Sequence, residues 1–409
     1  MRYLISAVVL GLACSAMAET WTVDDDGPAD FDNIQAAVEA ASDGDEIVVE
    51  PGTYTSTGDR VVNMLGKAVT LRSSAGAGVT ILDGEGAKPG LTTAPTGCVI
   101  DGFTISNGFS PSGGSGIRCF GGESPTVSNC VFQNGQTYGT GETGGAVFCY
   151  GSGTNPTFND CMITENSGGH GAGVLSKQYA SPHLINCTIT GNTAYWNGGG
   201  VAAMGGGNML LEFCAISHNT AGGEGGGGAA SLSHNCQMVL INCVINSNVL
   251  NGSTNWGGGL FCDWNHGAAP PLVTYSTICA NEPNQFYGWS GPDETNYVSD
   301  VCDQDSDGID DEIDNCDLYN PDQADCNENG IGDVCDIADG VSEDINGNEI
   351  PDECDCLADV VVDGEVNIND VLVTVSSWGT SGPLGDVNYD GIVDVEDLLI
   401  VISAWGACP

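Results

Sequence analysis

The stretch S-P-H-L-I-N-C-T-I-T-G-N-T-A-Y-W-N-G-G-G-V, which runs from Ser181 to Val201, decides the fold because it is one turn of a repeat. Its cysteine belongs to a column that recurs every 26 to 33 residues, at Cys130, Cys161, Cys187, Cys214 and Cys243, with Ser276 in the last turn. An asparagine column stands five positions after the cysteine, at Asn166, Asn192, Asn219, Asn248 and Asn281. A glycine block then leads into a further apolar run.

Each turn contains three short runs in which apolar and polar residues alternate, and this period of two indicates β-strands. In four turns the residue before the cysteine tolerates the left-handed backbone of a tight corner: Asn129, Asp160, Asn186 and Asn242. One turn cannot bury its apolar face alone, but stacked turns bury a continuous column. The asparagine side chains, one strand spacing apart, are expected to pair along the axis. The sequence therefore predicts a parallel β-helix.

The same pattern of G-G-G-V, S-P and I-N-C-T-I-T-G-N-T-A resembles the right-handed β-helix families, which include pectate lyases and many secreted surface proteins. The resemblance spans about Trp21 to Trp289, and we assign residues 19–292 to an all-β, right-handed parallel β-helix solenoid. The open end of a solenoid requires a cap. Asp30 or Asp32 is expected to begin a short capping helix, ended by Gly44, whose apolar face is Phe31, Ile34, Val38 and Ala41.

The charge of the chain limits its partners. The 409 residues include 55 Asp and Glu against 7 Lys and Arg, a formal charge of −48. This balance argues against nucleic acid, since phosphate binding needs clustered cations. Thirty of the acids follow Val298, whereas the last Lys or Arg is Lys177. Such a tail is either a solvated acidic segment or a cation-binding one, and its regular spacing favours cation binding.

Residues 1–18 have the features of a secretory signal peptide: one cation, an apolar run, and Ala16-Met17-Ala18 before Glu19. A lipoprotein interpretation through Cys14 fits less well, because Gly11 stands where a leucine is expected. We find no other segment able to cross a bilayer and therefore no transmembrane segment. These features predict a secreted protein that is extracellular or attached to the cell surface.

Eighteen cysteines remain after cleavage at this site, and cysteines of exported proteins usually form disulfides. Those in the repeat column allow two interpretations. They are either stacked free thiols, acting as small apolar interior side chains, or disulfides between neighbouring turns, since strand spacing is compatible with disulfide geometry. We favour the stacked thiols.

One template recurs after Trp289, with oxygen-bearing side chains at positions 1, 3, 5, 9 and 12 of a short loop. Alternate residues of a tight loop converge on one point, and Ca²⁺ prefers six to eight oxygen ligands. We therefore predict four Ca²⁺ sites. Their ligands are Asp303, Asp305, Asp307, Asp311 and Asp314; Asp325, Asn327, Asn329, Asp333 and Asp336; Asp344, Asn346, Asn348, Asp352 and Asp355; and Asp386, Asn388, Asp390, Asp394 and Asp397.

The segment D-N-C-D-L-Y-N-P-D-Q-A-D-C-N-E-N-G-I-G-D-V-C-D, Asp314 to Asp336, resembles a thrombospondin type 3 repeat. That family uses bound calcium and disulfides in place of a hydrophobic core, in keeping with the scarcity of apolar residues here. We assign residues 300–355 to such repeats.

Residues 356–409 contain a duplication with an offset of 27 residues, in which two loop-and-helix units each end in S/A-W-G. The pattern resembles a dockerin type I module, and this resemblance implies a cohesin-like protein as partner. The earlier copy has Asp359, Asp363, Asn367 and Asp370, but Val361 stands at its third ligand position, so whether this site binds calcium stays open. We hypothesise that Cys356 and Cys408, which flank the pair, join its ends.

Evidence for catalysis is weak. A polysaccharide lyase needs Ca²⁺-binding carboxylates and a base such as Arg or Lys, and in lyases of this fold they lie on one outward sheet face. In successive turns, the strand after the glycine block is expected to point the following residues outward: Arg118, Phe148, Leu175, Ala202, Ala230 and Phe261. This set contains one cation and no carboxylate. Arg118, Lys177 and Arg72 are weak catalytic candidates. His170, in a Gly-rich loop, is interpreted as incidental, and the other histidines show no metal-ligand spacing.

Several aromatic residues lie in the variable loops and near the last turn: Tyr138, Trp196, Trp256, Trp264, Tyr287 and Trp289. They either stack on sugars or cover the edge of the solenoid. The sequence thus favours a calcium-binding, non-catalytic protein for carbohydrate binding or adhesion, with a polysaccharide or cell-surface component as partner. Two alternatives stay open: a pectate-lyase-like polysaccharide lyase acting on an acidic polysaccharide, and a spacer that docks to a protein through residues 356–409.

Overall fold

The computed structural model describes residues 18–409 except 93–96, 139–142, 224, 234, 253–255, 301, 304–308, 310–312, 319, 321–322, 328, 346, 348–349, 353, 383 and 409. Residues 1–17, which make up nearly all of the predicted signal peptide, lie outside this description. The chain divides into two compact units, one ending at Asp300 and one from Val301 to Pro409. In the part of the chain that is described, no helix has the length and apolar character needed to span a membrane.

The first unit is a parallel β-helix, because every pairing among its strands is parallel and joins one turn to the next. From the turn that begins with Val99–Asp101 to the turn that begins with Gln237–Ile241, the chain passes through four sheets in the order in which we number them, and the described residues of the other turns have no strand in the third. The first sheet consists of Thr20–Val23, Glu46–Val49, Thr70–Ser73, Val99–Asp101, Thr126–Ser128, Thr157–Asn159, His183–Ile185, Asn208–Glu212, Gln237–Ile241 and Leu272–Thr274. The second consists of Gly52–Tyr54, Thr80–Asp83, Thr104–Ser106, Val131–Gln133, Met162–Thr164, Thr188–Thr190, Ala215–Ser217, Val244–Asn246, Thr277–Cys279 and Tyr297–Val298.

The two remaining sheets flank the glycine block. The third sheet has short strands: Phe109–Ser110, Gln136–Thr137, Ser167–Gly168, Thr193–Ala194, Thr220–Ala221 and Val249–Leu250. The fourth sheet follows the block: Val62–Asn63, Leu91–Thr92, Ile117–Phe120, Val147–Tyr150, Val174–Lys177, Val201–Met204, Ala229–Ser231, Leu260–Cys262 and Phe286–Tyr287. A short 3₁₀ helix, Trp264–His266, follows the eighth of these strands.

The capping helix is Ile34–Ala40, and the predicted N-cap is wrong. Asn33 caps it, accepting a hydrogen bond from the amide of Ala36 at 2.9 Å. Asp30 is engaged elsewhere, because its carboxylate accepts from the amide and hydroxyl of Thr22. The helix ends before Gly44, and its buried residues are Ile34, Ala37 and Val38.

The predicted asparagine column forms a hydrogen-bonded ladder inside the solenoid. Nδ2 of Asn219 donates to Oδ1 of Asn248 at 3.0 Å, and Nδ2 of Asn192 donates to Oδ1 of Asn219 at the same distance. Each Nδ2 also donates to a backbone carbonyl, that of Ile189 in the case of Asn219. The ladder ends where Nδ2 of Asn281 donates to Oε1 of Gln285 at 2.9 Å. All five asparagines are buried, so the ladder ties successive turns together inside the solenoid.

The corner and cysteine columns also agree with the sequence. The corner residues Asn129, Asp160, Asn186 and Asn242 all have φ of 52–53°. The five cysteines of the column are buried and free, which confirms the stacked thiols. Burial raises the pKa of the Cys130 thiol to about 12, so it stays protonated at neutral pH.

The described residues of the second unit form three helices, Asp333–Ala338, Ile368–Ser376 and Val395–Ser403, and one antiparallel strand pair, Glu365–Val366 with Gly406–Ala407. Its disulfides include Cys316–Cys335 and Cys326–Cys354. Cys356 and Cys408 are also joined, as hypothesised. Disulfides are typical of proteins in oxidising compartments.

The ladder should account for much of the solenoid's stability. Replacing Asn219 with Ala removes the partners of the Ile189 carbonyl and of the Asn192 side chain. Each buried polar group left unpaired costs about 1–3 kcal/mol, so the free energy of unfolding should fall by roughly 3 kcal/mol or more. Urea unfolding followed by circular dichroism measures this. Asn251→Ala, at an exposed site, is the matched control, and equal midpoints for both variants would contradict the role given to the ladder.

Candidate functional site

The glycine-rich segments cover part of the outer face of the fourth sheet. The outward residues that follow Arg118 in its row form a second, buried apolar cluster: Phe148, Leu175, Ala202, Ala230 and Phe261. The glycine block passes directly over them, and a Cβ built on Gly144 would lie 2.6 Å from Cβ of Leu175. Only glycine permits this close approach. The cluster is therefore closed to a ligand.

A second outward row on the same strands remains accessible. Phe120 and Tyr150 are partners on adjacent strands and are 44% and 40% exposed. Lys177 and Met204 continue the row on the next two strands and are half-buried. Adjacent strands lie about 4.8 Å apart, so the two rings are neighbours along the solenoid axis. We call Phe120 and Tyr150 the aromatic platform.

A groove of about 510 Å³ lies where this row continues beyond the platform. Its polar lining includes His170, Lys177, Asn197, Asp263 and His266. Nδ1 of His266 lies 2.6 Å from Oδ2 of Asp263. Because a carboxylate only accepts hydrogen bonds, this contact orients the ring with Nδ1 as the donor. The fold thus gathers one predicted candidate, Lys177, with two histidines, His170 and His266, that were not among the predicted site residues.

The sequence does contain a signal for this groove. Asp263 follows the strand Leu260–Cys262 directly, and in the register of the fourth sheet it falls in the row of Tyr150 and Lys177. Extending the strand alignment by one residue past Cys262 would have placed a carboxylate in that row. The spacing of His266 three residues later fits the short 3₁₀ turn.

Arg118 lies beside the platform. Its guanidinium is 5.4 Å from the ring centroid of Phe120 and 5.8 Å from that of Phe148. Nη1 also donates to the hydroxyl of Ser112 at 3.1 Å. These contacts hold the cation against aromatic faces, an arrangement that stabilises its charge.

Arg72, the third catalytic candidate, is on the first sheet and is not brought together with the other two. Its Nε donates to Oε1 of Glu46 at 2.6 Å, and Asp101 is its partner on the next strand. The Glu46 carboxylate raises the pKa of the Arg72 guanidinium. A guanidinium held in its charged form is a poor proton acceptor, so the contact with Glu46 disfavours a role for Arg72 as a base.

Some of the predicted aromatic residues are exposed, as stacking on sugars requires, and others pack against the solenoid. Tyr138 and Trp196 are exposed. Trp196 packs edge-on against Tyr195, with ring centroids 4.9 Å apart. Trp256 instead stacks on Phe261 at 5.2 Å and on Tyr287 at 5.4 Å, where it packs against the buried cluster. Trp289 packs against the main core, and the side chain of Trp264 lies outside the described part of the structure. Of the five described side chains, Tyr138, Trp196 and Tyr287 keep exposed rings, and Tyr287 is in addition stacked on Trp256.

In the second unit, the loop from Asp325 to Asp336 gathers its predicted ligands. The Nδ2 atoms of Asn327 and Asn329 donate to Oδ2 of Asp336 at 3.0 and 2.8 Å. Asp325 accepts from the amide of Gly330 at 2.8 Å. Within the described residues, Oδ1 of the fully buried Asp336 has no hydrogen-bond partner. Two amide side chains thus converge on a buried carboxylate with one unused oxygen.

The loop from Asp386 to Asp397 has the same character. Asp397 is fully buried and accepts from the amides of Val387 and Asp394 at 2.9 and 2.8 Å. Oδ1 of Asp386 is buried and, among the described residues, unpartnered. The earlier copy repeats the arrangement, since Asp370 is buried and accepts from the amide of Val361 at 2.9 Å.

The other two predicted loops are described only in part. Asp305, Asp307 and Asp311 of the first loop, and Asn346 and Asn348 of the third, lie outside the described residues. Asp314 accepts from the side chain of Gln323 at 2.7 Å. Asp352 accepts from the amide of Ile345 at 3.0 Å and Asp344 from that of Gly347 at 2.7 Å. Asp303 and Asp355 of these two loops are also among the described residues. Asp333, which belongs to the loop from Asp325 to Asp336, accepts from the amide of Cys326.

The two longer helices of the second unit expose matching apolar residues. Both helices have a capping box, with Asn367 and Asp370 in one and Asp394 and Asp397 in the other. Four apolar residues on or just after each helix are exposed and correspond through the 27-residue offset: Ile368, Leu372, Val375 and Trp378, and Val395, Leu399, Ile402 and Trp405. We call these two sets the apolar stripes.

Solved structures that are similar to this chain have low sequence identity. A pectin methylesterase from carrot is 15% identical with a TM-score of 0.39, covering 68% of this chain and 82% of its own. The pectate lyase Pel9A is 12% identical with a TM-score of 0.42, covering 69% and 80%. A pectin methylesterase from Aspergillus niger is 16% identical with a TM-score of 0.35, covering 70% and 86%. A comparison with curated protein sequences finds no match.

A family model is decisive for the first unit. The model described as "Right handed beta helix region" matches residues 63–170 and 144–300, which together make up more than half of the chain. These ranges coincide with the turns that carry the ladder, the corners and the aromatic platform. The chain therefore belongs to the right-handed β-helix family.

Proposed function

We propose that this is an exported, calcium-binding protein that binds carbohydrate on the fourth sheet of its β-helix without cleaving it. The observation that carries the proposal is the aromatic platform, because two exposed rings on adjacent strands stand in line with a polar groove. Flat rings suit the apolar faces of sugar rings, and the polar groups of the groove can bond to hydroxyls. The disulfides of the second unit support export.

A rigid platform suits a polymer better than a single sugar. The rings project from a sheet whose strands are bonded on both sides, so they lose little freedom when a ligand binds. The row runs along the solenoid axis from Phe120 through Lys177, and the groove prolongs it towards His266. An extended polysaccharide lying along the axis would contact both parts.

A specific observation also favours a lyase as the second candidate. The Asp263–His266 pair is an oriented base, and Lys177 in the same groove supplies a charge that a uronate carboxylate would bind. In β-elimination the base takes the C5 proton, the C4–O bond breaks, and a C4–C5 double bond forms. The leaving oxygen takes up a proton. The unsaturated product absorbs in the ultraviolet, so the two candidate functions are distinguishable in one assay.

The carbohydrate proposal predicts retention of the mature protein on a polysaccharide without a rise in ultraviolet absorbance. A panel of immobilised polygalacturonate, alginate and neutral glucans tests this, with and without Ca²⁺. Tyr150→Ala should weaken binding by about tenfold, since one ring contact of roughly 1.4 kcal/mol corresponds to that factor. Leu272→Ala is the control, because Leu272 is exposed but lies on the first sheet, outside the row.

Other outcomes have clear meanings. An absorbance rise that is lost in His266→Ala and Lys177→Gln would replace binding by the lyase function. If Tyr150→Ala is retained as well as the wild-type protein, the platform is not the binding site. If the wild-type protein is retained on no polymer, the proposal as a whole is contradicted.

We further propose that Ca²⁺ occupies the loops of the second unit. Charge is the main support: five of the aspartates that the structure describes there are buried, Asp333, Asp336, Asp370, Asp386 and Asp397, yet no Lys, Arg or His occurs in the sequence after His266. Buried carboxylates without a counter-charge are costly. The unpartnered oxygens of Asp336 and Asp386 fit a hard divalent cation with oxygen ligands. When bound, the ion would supply the charge that the side chains lack.

Removal of Ca²⁺ should therefore unfold the second unit and spare the first. A site saturated at a hundredfold excess over its dissociation constant contributes about 2.7 kcal/mol to stability. Limited proteolysis with EGTA should give cleavage after residue 301 and a resistant solenoid. Asp397→Ala should cause similar sensitivity in Ca²⁺, whereas the exposed control Glu365→Ala should not. Identical cleavage with and without EGTA would show that the loops do not depend on calcium.

The apolar stripes support a docking role for residues 356–409. Exposed apolar residues arranged in helical register are typical of protein-binding surfaces, and the resemblance to dockerin modules makes a cohesin domain the first partner to test. On this proposal the second unit attaches the carbohydrate-binding solenoid to another protein.

Charged substitutions in the stripes should abolish docking without unfolding the module. The double variant Leu372→Glu and Leu399→Glu should lose binding to cohesin domains in calorimetry by at least about a hundredfold, since hot-spot losses reach 2 kcal/mol or more. Val362→Glu, at a highly exposed apolar residue outside both helices, is the control. Equal affinities for the double variant and the control would argue against the stripes as the interface.

A further inference from the structure

The corner column of the solenoid contains two residues that do not suit it. This corner lies between the first and second sheets, and four of its six positions are Asn or Asp. The fourth and sixth are Phe213 and Tyr275, with φ of 56° and 51°. Bulky residues rarely adopt this left-handed conformation because it brings Cβ close to the backbone, whereas Asn and Asp adopt it readily.

Both rings are also exposed, Phe213 at 60% and Tyr275 at 68%. Neither position contributes to the core, which takes the apolar residues on either side of the corner. Asparagine would serve the fold better here, since Nδ2 of Asn186 donates to Oδ1 of Asp160 at 2.6 Å and Asn129 bonds Asp101 in the same way. An aromatic residue that is strained, exposed and without a structural use points to a ligand.

The rings have a defined spacing along the axis. Glu212, Ile241 and Thr274 are consecutive partners on three strands, and Phe213, Asn242 and Tyr275 follow them directly. The two rings are therefore two strand spacings apart, about 9.6 Å. Asn242 stands between them, and its amide can donate and accept hydrogen bonds. Two rings separated by an amide form a ridge that presents stacking faces and hydrogen bonding in alternation.

We infer that this ridge of Phe213, Asn242 and Tyr275 is a second carbohydrate-binding site, for a neutral, extended polysaccharide lying along the solenoid axis. An anionic polymer is disfavoured because the chain has no Lys or Arg after Lys177, and Glu212 adjoins the first ring. A spacing near 9.6 Å suits a chain in which every second sugar presents the same face, as in flat β-1,4-linked glycans. The ridge belongs to a different corner of the solenoid from the fourth sheet, so it is independent of the aromatic platform and shares only the ligand class of the proposed function.

The ridge can be tested with a double variant that should not destabilise the fold. Phe213→Asn with Tyr275→Asn restores the residue type found elsewhere in the column. We expect unchanged or higher thermal stability, together with a loss of binding of about tenfold or more on microcrystalline cellulose or chitin. Phe213→Tyr with Tyr275→Phe keeps both rings and should retain binding. Depletion from suspension measures all three proteins.

Each outcome decides the inference. Loss of binding with stability retained supports it. Binding to these polymers that survives the double asparagine variant overturns it, as does failure of the wild-type protein to bind either polymer. The platform variant Tyr150→Ala separates the two sites. If Tyr150→Ala alone abolishes retention on every polymer, the ridge is not a site. If instead the double asparagine variant alone abolishes retention on every polymer, the ridge is a site and the platform is not.

Discussion

The stacking of one turn on the next is the constraint on which the rest of the first unit depends. A single turn buries too little apolar surface to be stable, so each strand must bond to its counterparts above and below. The asparagine ladder reinforces this stacking from inside, since each carboxamide bonds both the next carboxamide and a backbone carbonyl. Because side chains in equivalent positions are held one strand spacing apart, the side chains of any exposed column are regularly spaced along the axis. The platform and the corner ridge are two such columns.

The second unit solves the problem of stability in a different way. It has a small apolar core, with Ala358, Val366, Val387 and Val401 buried, and its aspartates are buried without cationic side chains nearby in the sequence. Disulfides hold its loops together. Its disulfides tie its stability to an oxidising environment, and on our proposal bound Ca²⁺ adds to it, whereas the solenoid depends on its own repeats. One chain thus combines a solenoid stabilised by its own repeats with a disulfide-linked unit that has little apolar core.

The repeat made the fold predictable from sequence, because the same residue type in each turn meets the same environment. The ladder, the left-handed corners and the stacked thiols were all predictable for this reason. Features that depend on departures from the repeat were not. The glycine block is variable in length, and its passage over Leu175 and Ala202 depends on close backbone contact that no periodicity reveals. Likewise, His170, Lys177 and His266 come from separate turns, and only the folded structure shows that they line one groove.

Hydrogen–deuterium exchange with a bound oligosaccharide can show whether carbohydrate binds on the fourth sheet, because it locates the contact without mutation. The oligosaccharide is taken from whichever polymer of the panel retains the protein. We expect added protection in peptides that contain Phe120, Tyr150 and Lys177, and none in the second sheet away from the corner ridge. Protection confined to the second unit, or spread over the N-terminal cap, would contradict the assignment of the fourth sheet as the binding face.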